Sequence, residues 1–205
     1  MYEKLDEKRI DVLKEVCNVG AGHAATALSQ LIGKKVELEV PKVVLEEIAK
    51  VPEIAGGAES LVAGLFFQIL GDARGNIFMI FPEKSARTIV SLASGGTVSP
   101  DPEDEMNISA MKEVGNILVS AFLSAISQLA GLSLIPSVPG FAHDMAGSIM
   151  DYVLIEISRL ADRALVIETR LKERGESIES HLFLLPDPHT LSVILKGVEK
   201  AHGTA

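Results

Sequence analysis

One stretch of this chain is written twice, and a chain built on an internal repeat has few ways to fold. The first copy is Asp11-Val-Leu-Lys-Glu15-Val-Cys-Asn18 and the second is Ser109-Ala-Met-Lys-Glu113-Val-Gly-Asn116. The copies stand 98 positions apart at every matched residue, and each Asn is followed 23 positions on by a proline, Pro41 and Pro139. On a helix, positions i, i+4 and i+7 share a face. Asp11, Glu15, Asn18 and Gly22 therefore form one stripe, with Ile10, Leu13, Val16 and Val19 expected on the apolar side. The second copy places Ser109, Glu113, Asn116 and Ser120 outward, and Ile108, Met111, Val114, Leu118 and Ala121 inward. Asn inside a helix costs roughly 0.5 kcal/mol against Ala. Its recurrence at matching places points to a task for the amide, although descent from a duplication would also preserve it.

The rest of the chain follows the same plan. Residues 6–32 are expected as a long helix, with Asp6 as its cap and Gly33 as its stop. Lys35–Val40 alternates with strand period, and 43–51 reads as a short helix. Ser60–Leu70 and Asn76–Phe81 read as a hairpin. Pro82 opens a helix through Ala93, ended by Gly95-Gly96. Thr97–Glu105 is a linker. The second half gives a helix over 104–130 ended by Gly131, a strand over Leu132–Val138, and strands over Ala164–Leu171 and Ser177–Leu185. A last helix runs over Asp187–Ala201. Asp144–Ser158 is expected as a helix capped by Asp144, although the β-branched run from Tyr152 to Ile157 would also suit a strand. Phe81-Pro82-Glu83 corresponds to Leu185-Pro186-Asp187 at an offset of 104, so the second half carries about six extra residues after Pro139. The fold class is α+β: one domain over 1–205 made of two repeats, 1–97 and 98–205. Each would be helix-strand-helix-strand-strand-helix, and the pseudo-symmetric halves would share a sheet flanked by helices.

Composition narrows the function. Of 205 residues, 28 are acidic and 19 basic, a net charge of −9, which argues against nucleic acid or an anionic membrane as main partner. Apolar residues are 47% and Trp is absent, so the core is aliphatic. A single cysteine, Cys17, excludes an internal disulfide and fits a reducing cytoplasm. The charged N-terminus has no signal-like apolar stretch, and no run of 18 apolar residues suggests a membrane span. Gly20-Ala-Gly22 lies within helical periodicity and follows no strand, so it is no phosphate loop; glycines there would let another backbone approach beside Asn18. The five histidines have no metal-ligand spacing. Cys17 reads as a small helix residue turned partly inward rather than a nucleophile.

The pattern [Asp/Ser]-x3-Glu-x2-Asn-x22-Pro, present twice without departure, resembles the signature of the CheC-type chemotaxis phosphatases, a family that includes CheX and FliY. The duplicated layout covers nearly the whole chain. The resemblance implies a hydrolase acting on the aspartyl phosphate of the response regulator CheY. Glu15 with Asn18 and Glu113 with Asn116 would be its catalytic pairs, and Asp11, Ser109, Pro41 and Pro139 would support the motif. It also implies a second partner, the receptor deamidase CheD. Such chemistry needs no cofactor from this chain, because Mg²⁺ would sit on the regulator. An amide accepts one hydrogen bond and donates another, so it can hold a water in line with phosphorus, as the Gln of GTPases does. Glu can grip a lysine of the regulator. A non-catalytic adaptor or flagellar-switch scaffold is the rival reading. The deamidase is expected on the segment where the halves diverge most, through Asp144, Met145, Ser148, Met150 and Asp151.

Overall fold

A computed structural model of the chain describes residues 7–47, 50–54, 56–94, 104–157, 163–173 and 176–201. The elements run α1 (Glu7–Ile32), β1 (Glu37–Glu47), α2 (Val51–Ile54), β2 (Leu61–Gly71), β3 (Gly75–Pro82), α3 (Glu83–Ala93), α4 (Glu105–Ala130), β4 (Leu134–Pro136), β5 (Gly140–Met145), α5 (Ala146–Ile157), β6 (Arg163–Glu173), β7 (Glu176–Pro186) and α6 (Pro188–Ala201). The strands form one antiparallel sheet in the order β1-β6-β7-β3-β2-β4, with β5 also pairing to β2. The expected α+β class, a sheet flanked by helices, is what the chain adopts.

Strand alternation gives the sheet two apolar faces. Ala63, Leu65, Phe67 and Ile69 of β2 join Ile77, Met79 and Phe81 of β3 and Leu182 and Leu184 of β7 in the larger core, under α1 and α4. The residues between them, among them Val62, Phe78, Ile80 and Phe183, form a smaller core with Ala146, Ile149 and Met150 of α5. This double coverage explains why Ile77–Phe81 is apolar at every position rather than at every second one. Among the described residues α4 alone has the length and apolar content to cross a membrane. Its buried side chains, including Met111, Leu118, Phe122 and Ile126, pack instead in the larger core.

The long helices end as their sequences require. Gly33 and Gly131 adopt φ of 69° and 67°, left-handed conformations that stop α1 and α4. Asp104 caps α4 by accepting from the backbone N–H of Met106 and Asn107. Asp6, Gly95, Gly96 and residues 97–103 of the expected linker lie outside the described residues.

Four expectations are corrected. Residues 43–47 are strand, not helix: β1 continues past Pro41 and pairs with β6 from Lys42↔Glu168 to Glu47↔Arg163, and only Val51–Ile54 is helical nearby. β1 lies at the sheet's edge, where a proline beside a bulge is tolerated. Leu132–Val138 is strand only over Leu134–Pro136; pairing to β2 resumes at Gly140 as β5, a strand the sequence reading missed. Asp144 belongs to β5 and does not cap α5; its carboxylate accepts from Met145 N–H, while Ala146 and Gly147 donate to the carbonyls of Ser60 and Ala58. Finally, Val19 is half exposed, because the inward stripe of α1 is Leu13, Cys17, Gly20, Ala21, Ala24 and Leu28.

Candidate functional site: two Glu/Asn helix faces

Asp11, Glu15 and Asn18 are exposed on α1, and Ser109 and Glu113 are exposed on α4, where Asn116 is half-buried. Two glycines set how closely these helices approach their surroundings. A Cβ at Gly20 would stand 3.0 Å from the carbonyl oxygen of Ala121, so α1 lies against α4 beside Asn18. A Cβ at Gly115 would collide with Leu65 Cδ1, so α4 rests on β2 next to Asn116. Gly22, expected to serve the same purpose, has nothing within 4 Å of its would-be Cβ.

The strand after each helix is fastened to it by a serine. Val36 N–H donates to Ser29 Oγ at 3.0 Å, and Leu134 N–H donates to Ser127 Oγ at 3.2 Å. Sequence reasoning overlooked these serines, although they too are 98 apart and could have been found from the repeat.

Beyond that staple β1 runs back along α1 until its ladder with β6 shifts register between Glu39 and Lys42. The shift takes Val40 and Pro41 out of the ladder. Pro41 has no N–H to lose. Val40 N–H donates to Asn18 Oδ1 at 3.3 Å, and Asn18 Nδ2 donates to the carbonyl of Lys14 at 3.0 Å. Each partner has only one possible role, so the amide orientation is fixed. The spacing of Asn to proline is thus a local device: the bulge at Pro41 turns a strand N–H toward the helix amide.

The second half uses the same station differently. Here the strand is interrupted at Ser137-Val138-Pro139. Ser137 N–H donates to the Gln68 carbonyl and Gln68 N–H to Ser137 Oγ, both at 2.9 Å. Ser137 Oγ in turn donates to the Val138 carbonyl at 3.1 Å. Among the described residues the Asn116 amide has no hydrogen-bond partner. One amide is therefore held by the strand beside it, and the other is free to take both its partners from outside.

Burial pushes the Cys17 thiol up to about 12. It is fully enclosed beneath the Glu15/Asn18 face, so it stays protonated and takes no part in nucleophilic chemistry. No group of three or more His, Cys, Asp or Glu among the described residues could hold a metal. The α1 face thus offers the carboxylates of Asp11 and Glu15 with one amide, and the α4 face offers Glu113 with one amide and the Ser109 hydroxyl, sets suited to gripping a cation and orienting a water.

On α5 and the strand before it, Asp144, Met145, Ser148 and Asp151 are exposed. Met150 is only 2% exposed and packs in the smaller core, so it does not belong to a binding face. A cavity of about 340 Å³ lies there, lined by Phe66, Phe78, Phe141, Asp144, Ser148 and Ile149 among others.

Known proteins share this sequence and fold. The model of the CheC-like family matches residues 10–45, and that of the chemotaxis phosphatase CheX matches residues 63–168. The CheY-P phosphatase CheC of Bacillus subtilis is 35% identical over 195 residues, covering 91% of this chain and 92% of that one. Thermotoga maritima FliY superposes with a TM-score of 0.75 at 20% identity, over 96% of this chain and 98% of that one. FliM in the FliM–SpeE complex from H. pylori superposes with a TM-score of 0.71 at 7% identity, over 96% and 97%. At those identities the two structures speak for the fold alone. The matched family models and the extent of the CheC likeness establish that this chain belongs to the CheC-like family of chemotaxis phosphatases.

Proposed function

We propose that the chain is a protein phosphatase that hydrolyses the aspartyl phosphate of a CheY-like response regulator, with Asn18 and Asn116 each orienting a water. The observation that carries this reading is the amide held by Val40 beside an exposed carboxylate one helical turn away. A name of CheY-P phosphatase on a relative at 35% identity supports the substrate. Asn18 Oδ1 keeps one lone pair and Nδ2 one hydrogen after its two protein bonds, enough to hold a water between phosphorus and protein. Positioning and charge compensation dominate phosphoryl transfer, so an amide with no basic function suffices. Glu15 and Glu113 pair with a lysine on the regulator and fix its register. Mg²⁺ belongs to the regulator's own phosphorylation site, and the protein contributes no cofactor.

The domain is read as two repeats, 1–97 and 98–205, in one unit. Matched registers support this: Glu37 faces Lys172 as Ile135 faces Leu70, and Glu47 faces Arg163 as Met145 faces Leu61. We also assign a CheD-like deamidase as second partner, docking through Asp144, Met145, Ser148 and Asp151, and a cytoplasmic setting for both encounters.

The test is phosphate release from a phosphorylated receiver at substoichiometric enzyme. Many turnovers per protein, abolished in Asn18→Ala/Asn116→Ala with the fold intact by circular dichroism, is the expected result. Release that stops at one equivalent, or full activity in the double variant, would overturn it. A stoichiometric result would leave an adaptor that binds regulators without turnover.

A further inference from the structure

We infer that Val138 is a docking residue of the second site, the apolar contact against which the phosphorylated receiver seats beside Asn116. This rests on the phosphatase reading above and adds a specificity-determining residue to it.

The two halves of the chain differ at one matched station. The serine staples at Ser29–Val36 and Ser127–Leu134 start the two strands from matched points on their helices. Residue 22 after each Asn therefore arrives at the same station. In the first half that residue is Val40, 2% exposed, its N–H on Asn18. In the second half it is Val138, 87% exposed, and among the described residues the Asn116 amide has no partner. Same residue type, same place in the repeat, opposite burial: the strand is tied to the first amide, and at the second it turns its valine to solvent.

An exposed apolar side chain by itself is unremarkable on a protein surface. Val138 differs in how it is carried. The three hydrogen bonds of Ser137 to Gln68 and to Val138 brace the bulge against β2, so the isopropyl group is presented at fixed geometry. Pro139 follows with its φ locked. A Val side chain has little rotamer freedom to lose on contact. The hydrogen bonds that Glu113 and Asn116 could make replace bonds to water and so orient more than they bind. An apolar contact at the rim supplies the affinity those polar groups lack. The occupant is the receiver itself, because Val138 holds the strand position that in the first half lies on the Asn amide.

The test uses the full chain with Asn18→Ala, so that only the second site turns over. Adding Val138→Asp is expected to raise KM for the phosphorylated receiver about tenfold, equal to ~1.4 kcal/mol, with kcat within about twofold. Val138→Ile is expected to restore KM. An unchanged KM in Val138→Asp, with native circular dichroism, overturns the inference. Should Val138→Asp misfold, Val138→Ser serves with the same criterion. Affinity for a beryllofluoride-activated receiver is measured in parallel. Weakened binding by Val138→Asp without turnover in the parent would leave the lip standing and remove the hydrolysis reading. Unchanged binding overturns the lip whatever the turnover.

Discussion

The backbone N–H of Val40 donates to the side-chain oxygen of Asn18 across 3.3 Å, and among the described residues no equivalent bond reaches Asn116. The two catalytic candidates therefore differ in what they do for the fold. Asn18→Ala strands a part-buried N–H, at about 1 kcal/mol, against a gain of roughly 0.5 kcal/mol in helix propensity. Asn116→Ala loses no such bond and keeps the gain. Urea unfolding should show Asn18→Ala slightly less stable than the parent and Asn116→Ala slightly more stable, while phosphate release falls in both. Equal shifts of the two midpoints would mean that the Val40 contact carries no energy.

The helix glycines separate in the same way. Gly115→Ala drives a methyl group into Leu65 beneath α4 and should destabilise by ~1–3 kcal/mol through overpacking. Gly22→Ala meets nothing within 4 Å on an exposed helix interior. It should stabilise by about 0.5–1 kcal/mol. Denaturant midpoints of the two variants check both signs together.

What was legible in the chain was whatever the repeat or a strong local signal carried. α1, α4 and the two long hairpins followed from apolar period, Gly33 and Gly131, and Pro82. The exposed Glu15, Asn18 and Glu113 followed from helical spacing. The segments around the two prolines were not legible, for a physical reason. The expected strands stop at Val40 and Val138, just before the two prolines, yet β1 survives Pro41 because a bulge absorbs it at the sheet's edge, and β5 resumes after Pro139 because β2 is still there to pair. Long-range pairing overrides local signals. The same holds for the start of α5, where the carbonyls of Ala58 and Ser60 satisfy the amides that Asp144 was expected to cap. The tie from Val40 to Asn18 was written in the spacing to the proline, but only a strand of known register turns that spacing into a contact.

Cys17 makes a pH prediction. Burial raises its thiol from 9.0 to about 12 in the fold. A group whose folded value is raised contributes stability that is whole below the unfolded value and lost as pH rises toward the folded one. Stability should therefore fall from about pH 9 upward, as the unfolded chain releases a proton the native state retains. Cys17→Ala should flatten that alkaline slope. An identical slope in the variant, measured by urea titration at pH 8 to 10.5, would assign it to other groups. Native protein should also resist thiol reagents at pH 8 until it is unfolded.

The docking face proposed on α5 must be probed without disturbing Met150, which is buried. Asp144, Met145, Ser148 and Asp151 stay at the surface, whereas Met150 packs with Val62, Ile80 and Val166. Met150→Glu would place a carboxylate in that core and should destabilise the fold by several kcal/mol. Lost binding in that variant would say nothing about contact. Asp151→Lys and Met145→Glu change only exposed side chains and should leave stability within about 0.5 kcal/mol. α5 packs on the sheet face opposite the two Glu/Asn helices. A partner held there leaves Glu15, Asn18, Glu113 and Asn116 open to the regulator. A pull-down with a CheD-like deamidase should therefore fail for Asp151→Lys and weaken for Met145→Glu, with basal phosphate release retained in both. Full capture by both variants would move the deamidase elsewhere. Loss of phosphate release alongside capture would mean that the two partners share one face.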